Sequence, residues 1–561
     1  MRTIRLLALT GVLALAGTAC ADLEVTNLND PDRERAISTP GDVEALISGG
    51  FQEWYTAVHQ SYPGSALSVG ADAHSSSWGN WGMRDFGEEP RKAYNNEPSY
   101  NYSAVTETPW GNFYAALSSA RSGMIAIGDG LEIGPNGQDT DRAIAFAKLI
   151  QGLAHGYVGL LFDRGYIVDE SVSIDEAIPL SPYTDVFAFG MDKLAEAEEL
   201  AENNDFTIPS AWVGFNGDWS SDYMARFIRS YRARMMSQLG RTPSEREATG
   251  LVCGWCAGGS WWAQIKADAE SGIQEGETYG GYYDGNTWAW HRSKLHTSSI
   301  SGWTRIDYRT VGPADASGAY GTWLAAAPSG KLPFNIDTDD SRITGGEPNT
   351  DGSLIVYLGG SPFPADRGIY HYSNYMYGGD WLDIVNNSYI GFYPDFDWKE
   401  AEFLIAEANI RMGTDLDQAL EIVNASREKG GLPPLADAGA SAPGGDRCVP
   451  KNDGVTCGDL FESLKYEKRI ELFHYGLGTE YFDDRGWGDL VSGTPLQLPI
   501  PGAELILLLE DYYTFGGDAG SAAPNMVDDV SPEGLRFKRQ AQEKFLTFQQ
   551  VSEGLGREIA R

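Results

Sequence analysis

The chain is poor in basic residues. Its 561 residues include 42 lysines and arginines against 79 aspartates and glutamates, which gives a formal net charge of −37. Nucleic-acid binding needs a basic face, so this deficit argues against that class of function. The sequence also has no His-Glu-x-x-His zinc motif, no nucleophile elbow and no glycine-rich phosphate loop. These absences exclude several enzyme classes.

Long apolar runs are also missing. After the first 20 residues, no run approaches the ~20 apolar residues that a membrane-spanning helix needs. At the start, two arginines precede the apolar run 6–16, and small residues then lead to Cys20. This order predicts an export signal in residues 1–19. A cysteine directly after the small residues indicates acylation of Cys20, with residues 20–39 as a tether. An ordinary secreted protein is the alternative.

Cysteine is rare, and only four follow Cys20. An even number in an exported chain predicts disulfides rather than free thiols. The expected pairs are Cys253 with Cys256 and Cys448 with Cys457, because each closes a short loop. Other pairings and a four-cysteine zinc site are alternatives. The sequence predicts no cofactor and no bound metal.

Helical periodicity is clearest in residues 398–432. Apolar residues at helical spacing predict a helix that ends at Gly413, followed by a second helix that ends at Gly430. Alanines at the crossing positions allow close approach, as in tetratricopeptide-type repeats. A further helix is predicted to begin at Thr39 and Pro40. Other helices are predicted at 110–127, 141–162, 186–202, 218–239 and 260–273.

The helix at 218–239 carries four arginines, which we expect on a solvated or interface face: Arg226, Arg229, Arg232 and Arg234.

Residues 62–107 and 276–397 have no helical period and are rich in glycine, serine and aromatic residues. They predict ordered loops that can carry a ligand site. Aromatic faces stack on sugar rings, so tryptophans in these loops are candidate ligand contacts. Core packing is the alternative for each of them. The candidates are Trp78, Trp81, Trp288, Trp290 and Trp303.

Residues 458–488 combine carboxylates with lysine and arginine at helical spacing, which supports helices. The acids Glu467, Glu471, Asp483 and Asp484, together with Arg485, predict buried ion pairs. Paired carboxylates also serve glycosidases, so a catalytic role is the alternative.

The chain resembles the SusD/RagB family of outer-membrane nutrient-binding lipoproteins. The features that carry the resemblance are the leader with Cys20, the helix after Thr39 and Pro40, the helices at 402–412 and 419–427, the block 468–487, and the extended segment 498–504. The resemblance implies a mostly α (α+β) fold, a superhelix of tetratricopeptide-type hairpins with long loops and short-strand insertions.

The resemblance also implies a function without catalysis. Such a protein binds an oligosaccharide, glycan fragment or peptide and delivers it to a SusC-like TonB-dependent transporter in the outer membrane of a Gram-negative bacterium. Its acidic character favours neutral or cationic ligands over polyanionic ones. The expected regions after residue 39 are helical at 40–275, loop-rich at 276–397 and C-terminal at 398–561. A secreted glycoside hydrolase and a protein-binding repeat scaffold are the alternative functions.

Overall fold

The computed structural model describes residues 39–76, 79–173, 177–215, 217–247, 260–286, 290–291, 303–360, 373–379, 381–517 and 525–526. Within these ranges the protein is mostly helical, which confirms the predicted fold class. The sequence predictions for Cys20, Trp78, Trp288, Cys253 and Cys256 lie outside the described residues.

The helices lie in the order α1 (Pro40–His59), α2 (Ser61–Gly70), α3 (Met83–Gly87), α4 (Ala104–Gly128), α5 (Thr140–Leu161), α6 (Tyr183–Asn203), α7 (Ser221–Gln238), α8 (Pro243–Glu247), α9 (Trp261–Glu270), α10 (Tyr308–Val311), α11 (Ala319–Ala325), α12 (Trp381–Asn386), α13 (Trp398–Met412), α14 (Leu416–Lys429), α15 (Leu460–Glu471), α16 (Thr479–Trp487) and α17 (Gly502–Leu508).

The described strands form short antiparallel pairs only. The pairs are β1 (His74–Ser75) with β7 (Arg305–Ile306), β2 (Arg164–Tyr166) with β3 (Leu180–Pro182), β4 (Thr207–Ile208) with β5 (Trp219–Ser220), β6 (Thr278–Tyr283) with β10 (Gly391–Asp397), β8 (Ile355–Tyr357) with β9 (Tyr375–Tyr377), and β11 (Tyr513–Thr514) with β12 (Asn525–Met526).

Long helices pack on their neighbours in chain order. Helix α4 packs against α1 and α5, α6 against α5 and α7, and α13 against α9 and α14. This order produces stacked helical hairpins, the arrangement typical of tetratricopeptide-type scaffolds. The predicted hairpin at 398–432 is present, and Gly413 ends α13 in the left-handed conformation at φ +65°.

The packing of α5 against α6 depends on glycine. Gly190 of α6 lies against the backbone of α5, where an added Cβ would be 2.7 Å from the Gly156 nitrogen and 2.9 Å from the Gly152 oxygen. Helix α5 is long and apolar enough to cross a membrane, yet 94% of its most apolar window is buried inside the protein. It is therefore the central core helix, and glycine allows the second helix to approach it.

Gly190→Ala is expected to lower the free energy of unfolding by about 1–3 kcal/mol, because backbone atoms on α5 cannot yield to the new methyl group. Gly111→Ala is the matched control, because it also lies within a helix and its Cβ would meet nothing within 4 Å. That change should stabilise the protein by about 0.5–1 kcal/mol. Urea denaturation of both variants measures the difference, and equal effects would contradict the close-contact argument.

One part of the loop prediction for 62–107 is wrong, because α2 lies within it. This helix has no apolar stripe, since small residues such as Gly64, Ser65 and Ala66 are buried on all its sides. A helix that buries every face gives no periodic signal. Helices α3 and the start of α4 also fall in this segment.

The described residues form two hydrophobic cores. The first core is formed mainly by α1, α2, α4–α7 and α9 and includes Phe51, Leu149 and Phe227. The second core joins the loop-rich region to α13–α15, because Tyr308 and Ile343 pack in one cluster with Leu464. The long loops are therefore built onto the C-terminal helices.

Arg342 ties this loop region to α15 by buried ion pairs. Its guanidinium donates to both oxygens of Asp340 at 2.9 and 2.7 Å, to Glu467 at 2.7 Å and to Glu471 at 2.9 Å. Only 1% of Arg342 is exposed. The predicted ion pairing of the two glutamates is thus present, with an arginine from the loop region as the partner.

The expectation for the arginines of α7 is wrong for two of the four. Arg234 is buried and pairs with Glu400 at 2.5 Å, while Arg232 is buried against Asp268 at 2.5 Å. Both acids come from other helices or helix starts, so the side chains link helices across the core. The long arginine stem packs with apolar neighbours, which a count of charges along the helix does not reveal.

Candidate functional site

Strands β1 and β7 bring two distant loop segments together. Their register places His74 opposite Ile306 and Ser75 opposite Arg305. The next residue along, Ser76, donates its hydroxyl to the carbonyl oxygen of Trp303 at 2.8 Å. This short pairing therefore positions the segment before β7 beside the segment that follows β1.

The two segments present a pair of tryptophan rings. The ring centroids of Trp81 and Trp303 are 5.4 Å apart and their planes are inclined by 37°. Both side chains are half-buried. Adjacent rings that are partly open to solvent provide an apolar face of the kind that stacks on a sugar ring or another planar group.

The backbone at Trp81 is strained. Trp81 has φ +57° within the 3₁₀ turn Asn80–Gly82, and Gly82 follows at φ +75°. A left-handed conformation costs a residue with a side chain about 1–2 kcal/mol. Such strain persists only where the surrounding fold imposes it, and it is concentrated at functional sites. The turn packs on α2 and α4, which hold Trp81 in this position.

Tyrosines extend the pair along the protein. Burial raises the pKa of Tyr62, the neighbouring Tyr102 raises it further, and a hydrogen bond from the Trp81 backbone lowers it. The hydroxyl of Tyr62 thus lies beside both residues. The Tyr102 ring is 5.5 Å from that of Tyr100. Trp303, Trp81 and these three tyrosines, all half-buried, form what we call the aromatic strip.

Charged and polar residues on and next to β1 and β7 form hydrogen bonds and ion pairs close to the strip. Ser75 donates to Asp307 at 2.5 Å, and Arg91 donates to both oxygens of Asp72 at 2.8 and 2.7 Å. Burial, and next the charge of Asp72, raise the pKa of Asp307 to about 7, which the nearby Arg309 partly opposes. The arrangement fixes β1 and β7 against one another.

The structure separates the tryptophans predicted as ligand contacts. Trp81 and Trp303 come together at the strip. Trp290 is only 3% exposed, and its ring lies 4.8 Å from that of Tyr55 in the first core. It packs in the first core, apart from the Trp81 and Trp303 pair. The tyrosines were not predicted, since only their proximity to Trp81 distinguishes them.

The predicted disulfide between Cys448 and Cys457 is present, with their Cα atoms 5.7 Å apart. Within the described residues, no group of three or more histidine, cysteine, aspartate or glutamate side chains is arranged to hold a metal ion.

The acids of α16 are held in ion pairs. Asp483 lies 3.0 Å from Arg246 and 2.7 Å from Lys468, and Asp484 pairs with Arg469. The prediction that Arg485 pairs with acids is wrong. Its guanidinium instead donates to backbone carbonyl oxygens of Leu160, Leu496 and Gln238.

No family model and no curated protein matches the chain. Among solved structures, it is similar to a SusD superfamily protein from Bacteroides vulgatus at 14% identity, with 80% of this chain and 88% of that chain covered and a TM-score of 0.47. It is also similar to a SusD homologue from Bacteroides thetaiotaomicron at 14% identity, with coverages of 86% and 97% and a TM-score of 0.49.

A third similar structure is described as containing a xylogluco-oligosaccharide. It shares 12% identity, with coverages of 89% and 96% and a TM-score of 0.47. The first two structures are of the family that the sequence resembles. At these values the likeness says nothing about the ligand of this chain.

Proposed function

We propose that the protein is a non-enzymatic, SusD/RagB-type receptor that binds an oligosaccharide at the aromatic strip. The observation that carries the proposal is the half-buried ring pair of Trp81 and Trp303, 5.4 Å apart. Large aromatic faces provide most of the contact area in sites for polar organic ligands, while a few polar groups set the orientation.

The charges near the strip favour a neutral ligand. The buried Arg91 and the partly buried Arg309 near it already pair with Asp72 and Glu89, at 2.7 and 2.9 Å. They do not offer a free positive centre to a sulfated or phosphorylated chain. The net charge of −37 adds long-range repulsion of polyanions.

The pairing of the C-terminal acids supports the absence of catalysis. A retaining or inverting glycosidase needs two carboxyl groups that face each other across an open cleft. Glu467, Glu471 and Asp483 are buried and held by arginine or lysine. They fit a structural role and not the role of a catalytic pair.

The proposal includes a place in the cell. Residues 1–19 would be removed and acyl chains on Cys20 would anchor the protein to the outer membrane of a Gram-negative bacterium. Residues 20–39 would form the tether. The receptor would then deliver its ligand to a SusC-like TonB-dependent transporter. This part depends on the sequence resemblance.

Calorimetry of the soluble form that begins after Cys20, with a panel of neutral oligosaccharides and peptides, tests the proposal. We expect saturable binding of a neutral oligosaccharide, with the sugar recovered intact from the same samples. Consumption of the sugar would indicate a glycoside hydrolase instead. Binding to other proteins without affinity for any sugar or peptide would indicate a repeat scaffold.

A further inference from the structure

A pocket lies at the Tyr100 end of the aromatic strip. It has a volume of about 220 Å³ and is lined by Asp85, Phe86, Glu88, Tyr94, Tyr100 and Pro495. We call it the Tyr100 pocket. We infer that it is a second subsite, which takes one sugar unit of an oligosaccharide whose other units stack on Trp81 and Trp303. This inference rests on the proposed function.

The pocket is continuous with the strip. Helix α3, which supplies Asp85, begins directly after the turn that carries Trp81. Tyr102 reaches that same turn, because a Cβ added at Gly79 would lie 2.6 Å from its hydroxyl. Tyr102 in turn contacts Tyr100, which lines the pocket. Tyrosine side chains thus lead from the start of the turn that carries Trp81 to the pocket.

The pocket has an apolar floor that is already in place. Phe86 and Tyr94 are each only 5% exposed, and their rings lie 5.6 Å apart. The Tyr94 hydroxyl is held 3.3 Å from the hydroxyl of Thr106. The Tyr100 ring meets the Tyr94 ring edge-on at 5.9 Å. A floor fixed in this way costs little ordering entropy when a ligand binds.

The rim supplies hydrogen-bond acceptors, which suits a ligand rich in hydroxyl donors. Asp85 accepts a hydrogen bond from Tyr100, while its second oxygen has only a long contact of 3.4 Å with the half-exposed Arg84. Glu88 pairs with Lys92, whose side chain is 69% exposed. Ion pairs this open to water contribute little and exchange readily for a sugar hydroxyl.

The combination of an aromatic wall, an apolar floor and acceptors at the rim matches one neutral sugar unit. A ligand that fills the pocket and also stacks on the tryptophans must have several units. Affinity should therefore rise with chain length until both places are occupied, in the manner of two linked binding events.

The test compares Kd values for glucose and xylose oligosaccharides of increasing length, from disaccharides upward. Two variants alter the pocket without touching the tryptophans. Ala93→Phe places a ring into it from an exposed position on its wall, and Asp85→Ala removes the rim carboxylate. We expect each to weaken the longest ligands by about tenfold, equivalent to ~1.4 kcal/mol, and to leave disaccharides within about twofold.

Trp81→Ala separates this inference from the proposed function. If Trp81→Ala weakens the binding of oligosaccharides of every length, and the pocket variants keep the wild-type dependence of Kd on length, the receptor role stands and the second subsite is wrong. Equal loss at every length in the pocket variants would also overturn the subsite. Absence of binding to every series by the wild-type protein would overturn both. Thermal unfolding of each variant verifies that the fold is kept.

Discussion

Replacing Trp81 and Trp303 together with alanine is expected to abolish oligosaccharide binding in the range where the wild-type protein saturates. Buried aromatic anchors commonly contribute ~2 kcal/mol or more each to binding. Each single variant should therefore lose about 30-fold in affinity, since 1.4 kcal/mol is about tenfold. The fold-loss in affinity of the double variant should be smaller than the product of the two single losses, because the rings are in contact and share one ligand.

The matched control is Trp212→Ala. Trp212 is also a half-buried tryptophan, but it packs on Phe146 and under Arg142 in another part of the fold. Its loss should leave the ligand Kd unchanged. Calorimetry gives the affinities and circular dichroism confirms the fold. If the control weakens binding as much as Trp81→Ala does, the site is not at the strip.

Removal of Arg342 is expected to produce the largest change in stability. Arg342→Met leaves Asp340, Glu467 and Glu471 buried without their common cation. Breaking a buried ion pair from one side costs about 3–5 kcal/mol, because the remaining charge has neither water nor partner. The free energy of unfolding in urea at about neutral pH measures this loss.

The loss of stability caused by Arg342→Met should become smaller as the pH is lowered. Burial raises the pKa of Glu467 above its ordinary value, and Arg342 is the main group that opposes the rise. Without the arginine the folded-state pKa is higher still. Since the folded state then binds a proton more tightly than the unfolded state, stability is regained below that pKa and lost as the pH rises through it.

Arg447→Met is the control for Arg342→Met. Arg447 also binds two acids, Asp337 at 3.1 Å and Asp339 at 2.7 Å, but its side chain is 43% exposed. Surface ion pairs contribute at most about 1 kcal/mol. Comparable losses in the two variants would show that burial is not what makes the Arg342 cluster important.

Periodicity predicted the long helices well, because each buries one apolar stripe. The helix that begins at Pro40, with Thr39 as its cap, and the hairpin that turns at Gly413 were located closely. Helix α2 was missed because burial on all sides erases the stripe. The tryptophan pairing was not predictable, since β1 and β7 have two residues each and are far apart in the chain.

Side-chain environment was the other limit. The sequence places Trp290 in the same aromatic-rich segment as Trp303, yet the first is part of the core and the second is half-open. Likewise, Arg226 and Arg234 lie on the same helix α7, yet the first is partly exposed while the second is buried against acids from β10 and α13. Whether such a side chain is buried depends on which distant element packs against it, and the local sequence does not carry that information.

The two rings of the pair are attached to different cores. The turn bearing Trp81 rests on helices of the first core, while Trp303 precedes Ile306, which is buried in the second. A ligand that touches both rings therefore acts as a clamp between them. By mass action it adds RT ln(1 + [L]/Kd) to the stability of that joined state, about 2.7 kcal/mol at a hundredfold excess over Kd. The same binding free energy that holds the ligand therefore also opposes separation of the two cores at this site.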